Sequence, residues 1–156
     1  MRRALLFMAV LVTAAPGLAA AAAPADFSGD WKLNIERSDF GGMPPPTSVT
    51  QKVTHEEPSL KILSQQSGTF GDVTADFAFT TDGKECENKV MDMVIKSTVK
   101  WDGSVLVIDS TMDIQGSPMT LTDRWTLSPD GKELTIDRHA TGPMGSGGGK
   151  MIFEKQ

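Results

Sequence analysis

The sequence predicts an all-β protein that folds as a single antiparallel up-and-down (meander) β-barrel of about eight to ten strands. Three observations favour this fold class. Short runs rich in β-branched and aromatic residues recur along the chain, turn signals separate them roughly every 8 to 15 residues, and helical periodicity is nearly absent after residue 23. A long antiparallel set of strands tends to close on itself, because closure removes exposed strand edges.

The first predicted strand, residues 27–36, shows the alternation most clearly. Its odd positions, including Phe27, Trp31 and Leu33, are apolar or glycine, and its even positions are polar. Successive side chains of a strand point to opposite faces, so one face should be dry and the other wet. We therefore expect the Trp31 indole to be buried, and Gly29 to mark the close approach of a neighbouring backbone.

Glycine-containing turns divide the rest of the chain. Asp-Gly pairs at 82–83, 102–103 and 130–131 are strong hairpin signals, because glycine accepts a positive φ and aspartate tolerates it. The glycine-rich residues 145–149 are predicted to be a flexible loop before the last strand. The predicted strands are 27–36, 48–56, 59–67, 72–80, 85–91, 93–101, 104–114, 118–127, 133–141 and 149–155.

Residues 1–23 are predicted to be a cleaved secretory signal peptide, and residues 24–156 to be the barrel domain. Arg2 and Arg3 precede a short apolar run, and small residues suited to cleavage follow it. The apolar run is shorter than the roughly 20 residues that a membrane-spanning helix needs, so we expect no membrane span after cleavage. This layout predicts a periplasmic or secreted protein.

The charge balance argues against a nucleic-acid partner. Without Arg2 and Arg3 the chain has 13 basic and 20 acidic residues, a net charge of about −7, whereas nucleic-acid binding needs clustered cations. Cys86 is the only cysteine, so no internal disulfide can form. We expect Cys86 to be a small, partly buried side chain.

The opening Asp-Phe-Ser-Gly-Asp-Trp-Lys-Leu-Asn-Ile-Glu-Arg-Ser-Asp-Phe of residues 26–40 resembles that of lipocalin-like (calycin) proteins, and of the fatty-acid-binding proteins in particular. Both groups carry a Gly-x-Trp in the first strand, here Gly29 to Trp31. Residues 101–103 and 153–155 are similar to the same group. The opening also resembles that of secreted bacterial proteins of unknown function. The resemblance implies a lipocalin-like barrel that binds a hydrophobic ligand.

Two features of the fatty-acid-binding proteins are missing from this sequence. Their Arg-x-Tyr pair, which holds the ligand carboxylate, corresponds to Met151 and Phe153, and the chain has no tyrosine. Their helical lid after the first strand is replaced by residues 41–46, which include three prolines that cannot continue a helix. The fold therefore carries over in this resemblance, but the carboxylate site does not.

Alternation along the strands predicts which side chains line the interior and could bind a ligand. Arg138 offers a charged group to the polar end of a ligand, with Asp123 or Gln51 beside it. Alternatively, Arg138 pairs with Asp123, marks the point where its strand leaves the core, or packs across Trp31 in a cation–π contact, and these structural roles together are favoured over contact with a ligand. The predicted ligand-binding residues are Trp31, Phe77, Phe79, Met112, Met119, Trp125, Arg138, Asp123 and Gln51.

No catalytic or metal-binding pattern stands out, so we expect no enzyme activity, no metal and no cofactor. Residues 145–150 look like a phosphate-binding loop but lack its first glycine, and Met151 follows Lys150 where Ser or Thr should stand. His55 shares a strand side with Glu57, but two ligands without a spacing pattern indicate a solvated strand end more than a metal site. His139 is predicted to be exposed.

The sequence therefore predicts an exported binding module for a small apolar or amphipathic ligand, without catalytic activity. The alternative is a structural or protein-interaction barrel whose interior is filled by its own side chains. An interior cavity above about 300 Å³ lined by the predicted residues would favour the ligand, and a packed interior would favour the alternative.

Overall fold

The computed structural model describes residues 24–69 and 71–156, so the predicted signal peptide lies outside the described residues. They form one ten-stranded antiparallel sheet in which the first strand also pairs with the last. This confirms the predicted all-β meander. The strands are β1 (Gly29–Leu33), β2 (Ser48–Glu56), β3 (Ser59–Gly68), β4 (Gly71–Thr80), β5 (Glu85–Val90), β6 (Met93–Asp102), β7 (Val105–Ile114), β8 (Ser117–Leu127), β9 (Glu133–Gly142) and β10 (Gly145–Lys155).

The sheet curls into a nearly closed barrel in which the two edge strands, β4 and β5, face each other. The Asn88 side chain joins these edges. The Ala78 N–H donates to Asn88 Oδ1 at 2.8 Å, and Asn88 Nδ2 donates to the Ala78 carbonyl at 3.2 Å. A carboxamide has the same donor and acceptor as a peptide group. Asn88 therefore replaces one rung of the missing backbone ladder.

One half of the interior is closely packed, and we call it the dry half. Its inward-facing side chains come from nearly every strand and are almost completely buried, as the alternation predicts. Burial of each large side chain of this kind contributes roughly 1.5–3 kcal/mol. The dry half consists of Phe27, Trp31, Leu33, Val53, Leu60, Ile62, Phe79, Val99, Leu106, Ile108, Trp125, Leu134, Ile136 and Phe153.

Trp31 is 1% exposed, which confirms the predicted burial of its indole. Its Nε1–H donates to the Phe27 carbonyl at 2.9 Å. The prediction for Gly29 was wrong in one respect, because a side chain and not a backbone comes close. A Cβ at Gly29 would lie 2.6 Å from the Lys155 side chain, whose ammonium sits 5.4 Å from the centre of the Trp31 ring.

The first and last strands differ from their predicted bounds. β1 stops at Leu33, because Asn34 turns the chain out of the sheet and accepts a hydrogen bond from the Arg37 N–H. The prediction of a flexible loop at 145–149 was wrong, since β10 begins at Gly145 and these residues pair with β9. Glycine can extend like any other residue, and the ladder to β9 orders it.

The glycines of β10 also let the segment after β1 lie close against the last strand. Asp39 returns to the sheet after β1 and exchanges two backbone hydrogen bonds with Lys150, at 2.7 and 2.8 Å. A Cβ at Gly149 would overlap the Asp39 carbonyl oxygen. The segment 34–47, which contains no helix, therefore takes the place of a helical lid.

We expect Asn88→Ala to lower the free energy of unfolding by about 1–3 kcal/mol, because it leaves the backbone groups of Ala78 without partners at the barrel seam. Urea unfolding followed by far-UV circular dichroism measures this loss. Glu87→Ala, on the exposed face of the same strand, is the control and should change stability by less than about 0.5 kcal/mol. Equal stabilities of the two variants would contradict this role for Asn88.

Candidate functional site

The other half of the interior is reached by solvent, and we call it the open half. Most of its inward-facing side chains are half-buried, and they continue the inward positions of the dry half along the strands. Ala75, Val90 and Ile95 are buried in this half and form a second apolar cluster, against which Phe77 and Met112 pack. The open half is lined by Val73, Phe77, Met112, Met119, Leu121, Arg138 and Ala140.

An ion pair marks the boundary between the two halves. Asp123 and Arg138 are directly opposite each other on β8 and β9. Arg138 Nε donates to Asp123 Oδ1 at 2.7 Å and Nη2 donates to Oδ2 at 2.6 Å, a bidentate arrangement. The Asp123 side chain is 11% exposed and that of Arg138 38%. Burial alone would lower the pKa of Arg138, but the hydrogen bonds to Asp123 outweigh it and raise the pKa.

Uncharged polar groups share the inward face with this ion pair. The hydroxyls of Ser97 and Ser110 lie 2.8 Å apart and are buried. Within the described part of the chain, Gln51 Oε1 and Trp125 Nε1 are buried and have no hydrogen-bond partner. A buried polar atom without a partner is rare and often indicates a site for a water or a ligand.

The structure brings five of the predicted ligand-binding residues to the open half or its boundary: Phe77, Met112, Met119, Asp123 and Arg138. It places three others in the dry half, where Trp31, Phe79 and Trp125 are packed on all sides. Gln51 faces inward on β2, opposite Trp31 and Ser64. Contact of any of these residues with a ligand stays a prediction.

The pairing of the strands tests two of the alternative roles for Arg138. Arg138 is paired with Asp123, as one alternative predicted. The cation–π contact with Trp31 is made instead by Lys155, so that alternative for Arg138 was wrong. The register explains the difference, because Lys155 is the direct partner of Trp31 on β10, whereas Arg138 lies opposite Gly149.

Two depressions of about 300 and 280 Å³ lie on the outside of the barrel, on β6, β7 and β8. Outward-facing side chains such as Lys96, Thr111 and Thr120 line them for the most part. Met112 and Leu121, which line the open half, also border them, so the depressions adjoin the open half.

The dry end of the barrel contains a polar network that sequence reasoning missed. His55 was predicted to be a solvated strand end, but its side chain is only 3% exposed. Its Nδ1 accepts from the Phe27 N–H at 3.3 Å, and its Nε2 lies 2.9 Å from Glu57 Oε1. Glu57 also accepts from Trp101 Nε1 at 2.8 Å and from the Thr81 hydroxyl. The shared strand side of His55 and Glu57 was the available signal.

The hydrogen bonds of this network stabilise the charged form of Glu57. Burial raises the pKa of a carboxyl, but here the bonds from Thr81, Trp101 and His55 outweigh it and hold the pKa of Glu57 below its usual range. The network ties the segment before β1 to β2, because the Phe27 N–H and the Ser28 hydroxyl both donate to His55.

Within residues 24–69 and 71–156, no three His, Cys, Asp or Glu side chains converge as a metal site would require. None of these residues belongs to a helix with the length and hydropathy needed to cross a bilayer. Cys86 is partly buried, as predicted, and His139 is exposed, as predicted.

Comparison with solved structures identifies the fold. A secretory abundant heat soluble protein of Ramazzottius varieornatus superimposes with a TM-score of 0.63, at 16% identity over 85% of this chain and 100% of its own. This chain has a calycin-like fold. Protein 4 of the same group gives a TM-score of 0.55, at 15% identity over 84% of this chain and 95% of its own.

A zebrafish ileal bile acid-binding protein complexed with cholic acid gives a TM-score of 0.51, at 18% identity over 83% of this calycin-like chain and 98% of its own. At these sequence identities the structural similarity establishes only the fold. No protein-family model matches the sequence, and no curated protein matches it.

The depressed pKa of Glu57 predicts an acid-dependent loss of stability. The folded state binds fewer protons than the unfolded state, so this contribution is present above the unfolded pKa, about 4.3 for a glutamate, and is lost as pH falls through the lower folded value. We expect Glu57→Gln to be less stable than the intact protein at pH 7 and to lose less stability between pH 5 and pH 3. Urea unfolding across this range measures both.

Glu56→Gln, on the exposed face of β2, is the matched control and should keep the pH dependence of the intact protein. A slope for Glu57→Gln as steep as that of the intact protein would show that Glu57 does not carry this contribution.

Proposed function

We propose that this chain is an exported binding module for a small, largely apolar molecule, which it holds in the open half of the barrel. The division of the interior carries this proposal. The dry half has no room for a ligand, whereas the inward-facing side chains of the open half are reached by solvent. A cleft with apolar walls and a few placed polar groups is the usual form of a small-molecule site.

The apolar walls supply the attraction. Phe77, Met112 and Met119 remain half-buried in the free protein, so a ligand that covers them removes apolar surface from water. Such burial contributes about 25 cal/mol per Å². Methionine side chains are flexible and adapt to the shape of a ligand. The ion pair of Asp123 and Arg138 would then orient the polar end of the molecule.

The structural neighbours support this proposal at the level of fold. One of them is a bile acid-binding protein solved with cholic acid, an amphipathic molecule of the size class proposed here. The charged start, short apolar run and small residues of positions 1–23 support export to the periplasm or outside the cell. Recovery of the exported chain with an amino terminus near residue 24 tests this part of the proposal, and recovery of the uncleaved chain in the cytoplasm contradicts it.

A titration with Nile red, an uncharged dye that fluoresces in apolar surroundings, tests binding in the open half. We expect saturable binding by the intact protein. Ala140→Trp places an indole among the open-half side chains and should weaken binding at least tenfold by occupying the cleft. Thr141→Trp adds the same indole to the exposed face of the same strand and should bind the dye as the intact protein does.

Circular dichroism of both variants establishes that each one folds. Absence of saturable binding by the intact protein would favour the alternative, a structural or protein-interaction barrel. Equal binding by Ala140→Trp and Thr141→Trp would place the dye outside the open half and contradict the proposed site.

A further inference from the structure

We infer that the open half selects molecules whose polar end is uncharged, such as an alcohol, and discriminates against carboxylates. This inference rests on the proposed function and specifies its ligand class. It follows from the charge balance of the inward face and from the kind of hydrogen-bonding groups placed there.

Asp123 already neutralises the only cation in the cleft. Among residues 24–69 and 71–156, Arg138 is the one Lys or Arg whose side chain faces the open half, and both of its short hydrogen bonds go to the Asp123 carboxylate. A ligand carboxylate bound beside Arg138 would meet a pair of zero net charge, with Asp123 repelling it. Placing a charge in an apolar site without a counter-charge is strongly unfavourable.

Every other Lys and Arg of residues 24–69 and 71–156 is exposed, so none of them supplies the missing charge inside the open half. Lys96, Lys100, Arg124 and Lys150 point outward and form exposed ion pairs with acidic residues on the outside of the barrel. Lys155 faces inward, but at the dry end over the Trp31 ring. The cleft therefore carries no net positive charge for an anionic head group.

The other polar groups on the inward face are uncharged. One of the Ser97 and Ser110 hydroxyls donates a hydrogen bond to the other. The accepting hydroxyl keeps its own hydrogen, which is free to donate to a ligand. Trp125 Nε1 and Gln51 Oε1 also lack partners in the described residues, but Trp125 lies in the dry half and Gln51 stands opposite Trp31, away from the open half. A hydroxyl can both donate to and accept from the serine pair, whereas a carboxylate can only accept.

Displacement of Nile red by 1-dodecanol and by dodecanoate at pH 7.5 tests the inference on the intact protein. The two molecules have twelve carbons each and differ chiefly in the charge of the head group. We expect dodecanol to bind at least tenfold more tightly than dodecanoate. Binding of dodecanoate as tight as that of dodecanol overturns the inference and leaves the proposed function standing.

The variant Asp123→Asn tests the effect of charge at nearly constant side-chain size. It keeps a hydrogen-bond acceptor beside Arg138 but leaves the guanidinium charge unbalanced. Dodecanoate should therefore bind this variant at least tenfold more tightly than it binds the intact protein, and the affinity for dodecanol should change less than about threefold. Asp102→Asn is the matched control, because it frees Arg124 in the same way on the outer face. It should change the affinity for neither molecule.

Asp123→Asn with Arg138→Gln removes both charges and extends the test if the single variant does not fold. The double variant should keep the preference for dodecanol. A gain of dodecanoate affinity in the double variant, or no gain in a folded Asp123→Asn variant, overturns the inference. Failure of the intact protein to bind Nile red at all overturns the proposed function together with the inference.

Discussion

The ion pair between Asp123 and Arg138 determines how the interior of this barrel can be used. A charged side chain inside a protein needs an opposite charge, further hydrogen bonds or water. Asp123 and Arg138 pair with each other through two short hydrogen bonds, and Arg138 also keeps contact with solvent. The large apolar cluster of the dry half ends at this pair. Beyond it lie the half-buried side chains of the open half and a smaller buried cluster of Ala75, Val90 and Ile95, and Phe77 packs against both clusters.

Closure of the barrel depends on a side chain that replaces backbone hydrogen bonds and on glycines that permit the close approach of another segment. Asn88 completes the seam between β4 and β5 with one carboxamide. The glycines of β10 allow Asp39 to pair closely with Lys150 in a segment that contains no helix. Phe77, Met112 and Met119 remain half-buried on the inward face.

The sequence predicts the strands well because alternation and glycine turns are local signals, and nearly all strand bounds agree within one or two residues. It predicts the pairing of Asp123 with Arg138 only as one alternative, since two strands must first be placed in register. The burial of His55 and the contact of Lys155 with Trp31 depend on strands far apart in the sequence. Alternation cannot show which half of an inward face is packed, so Trp31, Phe79 and Trp125 were grouped with residues of the open half.

The central claim is that a ligand enters one half of the interior and leaves the other unchanged. Methionine-methyl NMR during a Nile red titration tests it most directly, because Met112 and Met119 line the open half and Met151 packs against the dry half. We predict saturable shifts of the Met112 and Met119 methyl signals and an unchanged Met151 signal. A Met151 shift as large as those of Met112 and Met119, or no shift of Met112 and Met119, would contradict the account.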